Sequence, residues 1–154
     1  MMQEYLIQIL AGFVGTVGFA VLFNMRGKRL VFAALGGLLS WGLFILFHHF
    51  VYSEAVCYFV VAWLMSAYAE IMARVLKSPT TAFITTALIP LIPGGSLYYT
   101  MSNAFLGDMN VFVRKALSTL QLAAALALGV IVSSTLTRLV QRGIQKYRQK
   151  GNSA

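Results

Sequence analysis

Five apolar runs occupy most of the chain, each close to the roughly 20 residues that a helix needs to cross hydrocarbon. They cover about residues 6–23, 30–47, 55–73, 79–101 and 116–136, and Lys and Arg are kept to the stretches between and after them. This pattern predicts an all-α integral membrane protein with five transmembrane helices. Only 10% of the residues are charged, against about 25% in soluble domains. The 154 residues then form a single membrane domain, 1–154, in which 137–154 is a basic tail. Little is left over for a soluble catalytic domain.

The basic residues divide unevenly between the two sides that five crossings create. Arg26, Lys28 and Arg29 lie in the first loop, Arg74 and Lys77 at the third, and Arg138, Arg142, Lys146, Arg148 and Lys150 in the tail. The other side holds only Arg114 and Lys115. A split of ten to two among the 12 basic residues predicts an N-terminus outside and a C-terminus in the cytoplasm. A re-entrant hairpin in place of the fourth crossing would carry the tail charges outside, so five crossings fit better. Topology thereby explains the net charge of +8, and no nucleic acid partner is implied.

The first run carries Glu4 ahead of it and no small-residue cleavage site, so it reads as a span rather than a removed leader. Cys57 is the only cysteine. It permits no internal disulfide and reads as a small packing residue. Gly12, Gly15 and Gly18 in the first run, Ala33, Gly36, Gly37 and Ser40 in the second, and Ala125, Gly129 and Ser133 in the fifth recur at helix-packing intervals. Such stripes let helix backbones approach closely in lipid.

The fourth run is built to interrupt its own helix. Pro90 and Pro93 lack a backbone N–H, so the carbonyls of Thr86 and Ile89 lose their helical partners. Gly94 and Gly95 follow, and Ser96, Leu97 and Tyr98 begin the next stretch. From Pro79 to Ile92 is 14 residues, about 21 Å of helix against a core of about 30 Å. The span is therefore a broken helix that needs residues up to 101 to finish its crossing. Freed carbonyls are tolerated at membrane depth only in a protein interior or a wet cavity. The carbonyls of Thr86 and Ile89 can accept from an ammonium group, and the N–H groups of Gly95, Ser96 and Leu97 can donate to a carboxylate. The alternative is that the break only kinks the helix for packing.

Between the spans, Ser78 reads as an N-cap with Pro79 at the first helical position. Phe105, Met109, Phe112 and Val113 repeat at helical intervals, which predicts an interfacial helix within 103–115, capped by Asp108. The tail is expected to fray at its end.

The chain has four acidic residues: Glu4, Glu54, Glu70 and Asp108. Glu70 and Arg74 are four apart on one helix face near a span end. They form either an ordinary helix-end ion pair, with Arg74 reaching to the interface, or a cavity-facing proton carrier whose charge Arg74 holds. Asp108 is a cap or, alternatively, a gate or proton-uptake residue on the outer side. His48 and His49 are adjacent, do not share a face and have no further ligand near them in sequence, so they read as interfacial residues. Tyr98 and Tyr99 fit an aromatic belt. Thr80, Thr81, Thr85 and Thr86 can bond back to their own helix. No nucleophile–base pair, phosphate loop or metal motif is present, so neither an enzyme nor a cofactor is expected.

The run Glu70-Ile-Met-Ala-Arg74-Val-Leu-Lys77-Ser-Pro79, then Ile89-Pro90-Leu-Ile-Pro93-Gly94-Gly95-Ser-Leu97-Tyr98, then Gly107-Asp108, resembles the threonine/serine exporter (ThrE) superfamily. The match is to its C-terminal half, which also occurs alone as a small subunit of the YjjB type. The resemblance implies a bacterial inner-membrane exporter driven by the proton-motive force. It implies threonine and serine as substrates, or succinate and related dicarboxylates in the two-chain YjjP/YjjB type. It also implies a partner, a larger ThrE-type (YjjP-like) membrane subunit, with homo-oligomers a further option.

In that setting Thr86, Ile89, Pro90, Pro93, Gly94, Gly95, Ser96 and Tyr98 are expected along the substrate pathway. Glu70, Arg74 and Asp108 are expected to serve proton coupling and charge. The rival expectation is a scaffold subunit whose partner holds the whole pathway. An ion channel fits least, because no acidic ring or filter repeat is present.

Overall fold

The structure, a computed structural model, describes the backbone of residues 2–107 and 109–151 and the side chains of 6–105, 107 and 109–142. Among the described residues six α-helices follow one another: α1 (Met2–Leu22), α2 (Lys28–Phe50), α3 (Glu54–Val75), α4 (Thr80–Leu88), α5 (Gly94–Leu106) and α6 (Met109–Gly151). A 3-10 turn, Ile89–Leu91, joins α4 to the break before α5. α2, α3 and the part of α6 from Met109 to Arg142 are each long and apolar enough to cross a membrane. The α4/α5 pair meets the same measure as one unit bent by 60°. The apolar part of α1, Leu6–Leu22, is 17 residues, about 26 Å.

α3 lies at the centre, packed against α2, α4 and α6, while α1 lies on α2 and α5 runs along α6. One buried cluster joins Phe44 of α2, Cys57, Tyr58, Val61 and Met65 of α3, Leu91 and Leu122. A second, toward the other end, joins Ala20, Met25, Ala33, Ala69, Ala73 and Phe83. Small residues set the spacing. A Cβ on Gly129 would stand 2.6 Å from the Phe59 carbonyl oxygen and 2.8 Å from the Ala62 methyl. A Cβ on Gly37 would stand 2.6 Å from Cγ2 of Thr16, deep inside its contact distance. The seams expected on the second and fifth spans are therefore helix contacts. The first run differs: Gly12 approaches Pro90, whereas Gly15 and Gly18 face open space. Thr16 and Ala20 are the buried residues there.

Two turns use left-handed residues. Asn24 has φ 55° and Lys77 has φ 48°. In each, the next N–H reaches five residues back: Met25 to the Ala20 carbonyl at 2.9 Å and Ser78 to the Ala73 carbonyl at 2.8 Å. This is the Schellman closure, which satisfies orphan carbonyls at a helix end. It also places Pro79 outside the helix as the N-cap of α4, so the helix starts one residue later than expected, while the Ser78 hydroxyl donates to the Leu76 carbonyl at 3.3 Å.

A further expectation is corrected. Among the described residues there is no separate interfacial helix within 103–115. α5 continues to Leu106, Gly107 ends it at φ 79°, and α6 begins at Met109, so Phe112 and Val113 belong to the first turns of the last spanning helix. Asp108, the expected cap, lies outside the described residues. The last helix extends beyond the apolar run at 116–136. It runs through Gly151 as one unit of 43 residues, about 65 Å, because the Leu, Gln, Arg and Lys of this stretch are good helix formers.

Candidate functional site

The break and the Glu70–Arg74 pair lie in different surroundings. At the break part of the freed backbone has found partners. The Ile89 carbonyl accepts from the Ile92 N–H at 3.2 Å, and the Leu97 N–H donates to the Pro93 carbonyl at 3.0 Å. The Gly94 N–H donates to the Ile92 carbonyl at 2.7 Å. Thr86 is buried, and its hydroxyl donates to the carbonyls of Ala82 (2.9 Å) and Phe83 (3.1 Å). Pro90 packs toward Gly12 of α1. The Ser96 carbonyl accepts from Thr100 Oγ1 at 2.8 Å. Gly94, Gly95 and Tyr98 are exposed, Tyr98 meeting Tyr99 edge-on at 5.5 Å. No atom outside their own helix lies within 4 Å of a Cβ built on either glycine. Within this chain the break therefore opens outward, on the face of the bundle.

Glu70 sits inward. It is only 7% exposed on the face that α3 turns to α4 and α6. Arg74, one turn later, reaches back with Nη2 at 3.5 Å from Glu70 Oε2. Its other partner comes from α6. With the Gln141 amide oriented so that oxygen faces the guanidinium, Oε1 accepts from Nη1 at 2.6 Å, from Nε at 3.2 Å and from Nη2 as well. Arg74 thus links the basic ends of α3 and α6 through a neutral amide.

These side chains line a cleft of about 360 Å³ between α3, α4 and α6, completed by Thr80, Thr81, Ile84, Ser134, Thr137 and Arg138. The first turn of α4 borders it, and its N-cap makes no side-chain hydrogen bond. Exposed helix N–H groups of this kind favour an anion. Arg29 of α2 donates to the Lys77 carbonyl at 3.4 Å, on the turn joining α3 to α4. The first loop, the third turn and the described part of the tail accordingly meet at one end of the bundle.

A larger cavity, about 580 Å³, opens at the opposite end between Gln8, Trp41, Phe44, His48, His49 and Glu54. Its walls are chiefly apolar, whereas both guanidiniums and the buried carboxylate converge on the smaller cleft.

Glu70 and Arg74 were legible from their spacing. Arg138 and Gln141, read only as tail, and Thr80, Thr81, Ser134 and Thr137 are brought to them by the fold. A signal was present, since positions 134, 137, 138 and 141 form one polar helical face continuing an otherwise apolar span.

Residues 8–136 match the family model described as Threonine/Serine exporter, ThrE. The chain belongs to this family. The match spans the entire break and the α3 and α4 sides of the cleft. It stops just short of Thr137, Arg138 and Gln141 on α6. No solved structure matches the chain. As a ThrE-family protein with several apolar helices, it is a multi-pass membrane protein of an exporter family.

Proposed function

We propose that this ThrE-family chain is the small membrane subunit of an exporter driven by the proton-motive force, moving threonine and serine or dicarboxylates such as succinate across a bacterial inner membrane. The observation that carries this reading is Glu70, a carboxylate held inside a spanning helix, paired with Arg74 and facing a polar cleft. Intramembrane acids of this kind are the usual carriers of protons in transporters.

Five crossings, with the N-terminus outside and the C-terminus cytoplasmic, fit the clustering of basic residues at one end. The bent pair has arms of 12 residues each, Thr80–Leu91 and Gly94–Phe105, about 18 Å apiece. With the membrane normal bisecting a 60° bend, they rise about 31 Å, enough for one crossing of a core of about 30 Å. The open face of α5, with Leu97, Tyr98, Met101 and Phe105 exposed, is where a larger ThrE-type subunit or a second copy would complete the pathway begun at Gly94, Gly95 and Ser96. The same face also suits a scaffold that only assembles with its partner.

The test is export in inverted vesicles, with this chain alone and with a larger ThrE-type subunit, under an imposed pH gradient and with labelled threonine, serine and succinate. Gradient-driven flux only with both chains is expected, and Glu70→Gln should abolish it while insertion into the membrane is unchanged. Normal flux in Glu70→Gln removes the coupling role and favours the scaffold. Flux by this chain alone removes the partner.

A further inference from the structure

The charge of the cleft is not balanced. Two guanidiniums, Arg74 and Arg138, face one carboxylate, Glu70. Among the described residues Arg138 has no acidic partner, and α4 brings only Thr80 and Thr81, so its first turn is free of acids. Arg74 is held mainly by Gln141, a neutral acceptor that a carboxylate outcompetes for a guanidinium. At about 360 Å³ the cleft lies at the small end of ligand pockets, which run from about 300 to 1,000 Å³.

We propose that this cleft is a binding site for a small solute with one carboxylate and one ammonium group. Arg138 and the first turn of α4 receive the carboxylate, Glu70 receives the ammonium, and Gln141 holds Arg74 in place until the solute arrives. A second carboxylate would face Glu70, and like charges at short range repel. The charged groups facing Glu70 are Arg74 on its own helix and Arg138 from α6; α4 and α2 add none to the lining. Proton and ammonium therefore compete for one carboxylate. This last step rests on the exporter reading: competition yields exchange, which an inward proton gradient turns into export. Joint binding of a proton and a dicarboxylate would instead drive uptake.

The experiment is equilibrium binding of labelled L-serine to the full chain in lipid nanodiscs, at neutral and at acidic pH. Saturable binding that weakens as pH falls is expected. Arg138→Gln should weaken it by about tenfold or more, as loss of a charged hydrogen bond does, and Arg138→Lys by less. Arg142→Gln, one turn on and outside the lining, should leave it unchanged, which controls for folding. Glu70→Gln should weaken serine binding, abolish the remaining pH dependence and let unlabelled succinate compete better. No saturable binding in the natural chain, or equal binding in Arg138→Gln, overturns the site; pH dependence that survives in Glu70→Gln overturns the competition. The two readings fail separately. Serine bound as described without flux in vesicles sinks the exporter and keeps the site, while full flux in Arg138→Gln does the reverse.

Discussion

The helix break and the cleft carry opposite kinds of information. The break is written in seven consecutive residues, Pro90 to Ser96. In the folded chain it turns outward, and Gly94 and Gly95 have open space where a side chain would go. The cleft is written nowhere in one stretch. Glu70 and Arg74 come from α3, Thr80 and Thr81 from α4, and Arg138 and Gln141 from more than fifty residues later, yet it is here that the charges converge. A conspicuous motif marks where the chain must bend. It does not by itself mark where the polar groups meet.

The glycines make this contrast testable, and the largest structural effect belongs to Gly129. Its missing Cβ is the space through which α3 and α6 approach, with the Phe59 carbonyl in the way. A backbone oxygen has no rotamer to escape into. Gly129→Leu should therefore cost about 3 kcal/mol or more, the upper range for overpacking a tight contact, and should open the cleft by parting the helices that line it. Thermal unfolding of the purified chain in detergent measures the loss. Stability within 1 kcal/mol would mean the helices repack freely, and the cleft geometry would lose its support.

Gly95 should behave the other way. A Cβ there meets nothing within 4 Å, and glycine in a helix is about 1 kcal/mol worse than alanine, so stability should hold or rise slightly. Export by the complete transporter should nevertheless fall severalfold, because the open face of α5 is where a partner chain is expected. The two readouts separate a packing kink from an interface. Unimpaired export would reduce the break to a packing kink, and loss of stability would mean that the face is covered within the chain.

Much of the fold was readable because it follows from period and length. The second, third and fifth runs and the seams at Gly37 and Gly129 are local statements about one helix face. What could not be read is which face meets which neighbour. Gly12, Gly15 and Gly18 look equivalent along the chain, yet only Gly12 meets the break. The pattern Phe105, Met109, Phe112, Val113 suits a helix lying on a membrane as well as the start of one crossing it. Gly107, poised for a left-handed φ, was the clue to the second. For the site, Glu70 and Arg74 follow from an interval of four. Arg138 and Gln141 depend on the angle at which α6 crosses α3, and Gly129 sets that approach.

The smallest effect concerns the turn that joins the two walls of the cleft. Lys77 holds φ 48° so that Ser78 can close the end of α3 and Pro79 can start α4. A left-handed conformation costs an L-residue roughly 1 kcal/mol, and glycine adopts it readily. Against this, glycine loses more entropy on folding, so Lys77→Gly should stabilise by about 0.5 kcal/mol. The Lys77 carbonyl that Arg29 contacts is retained, and serine binding should not change. A rise in melting temperature with unaltered binding shows that the turn only positions the cleft. Weakened binding would show that the ammonium of Lys77 belongs to the charge balance at Glu70, and Arg138 would no longer be the cation that decides it.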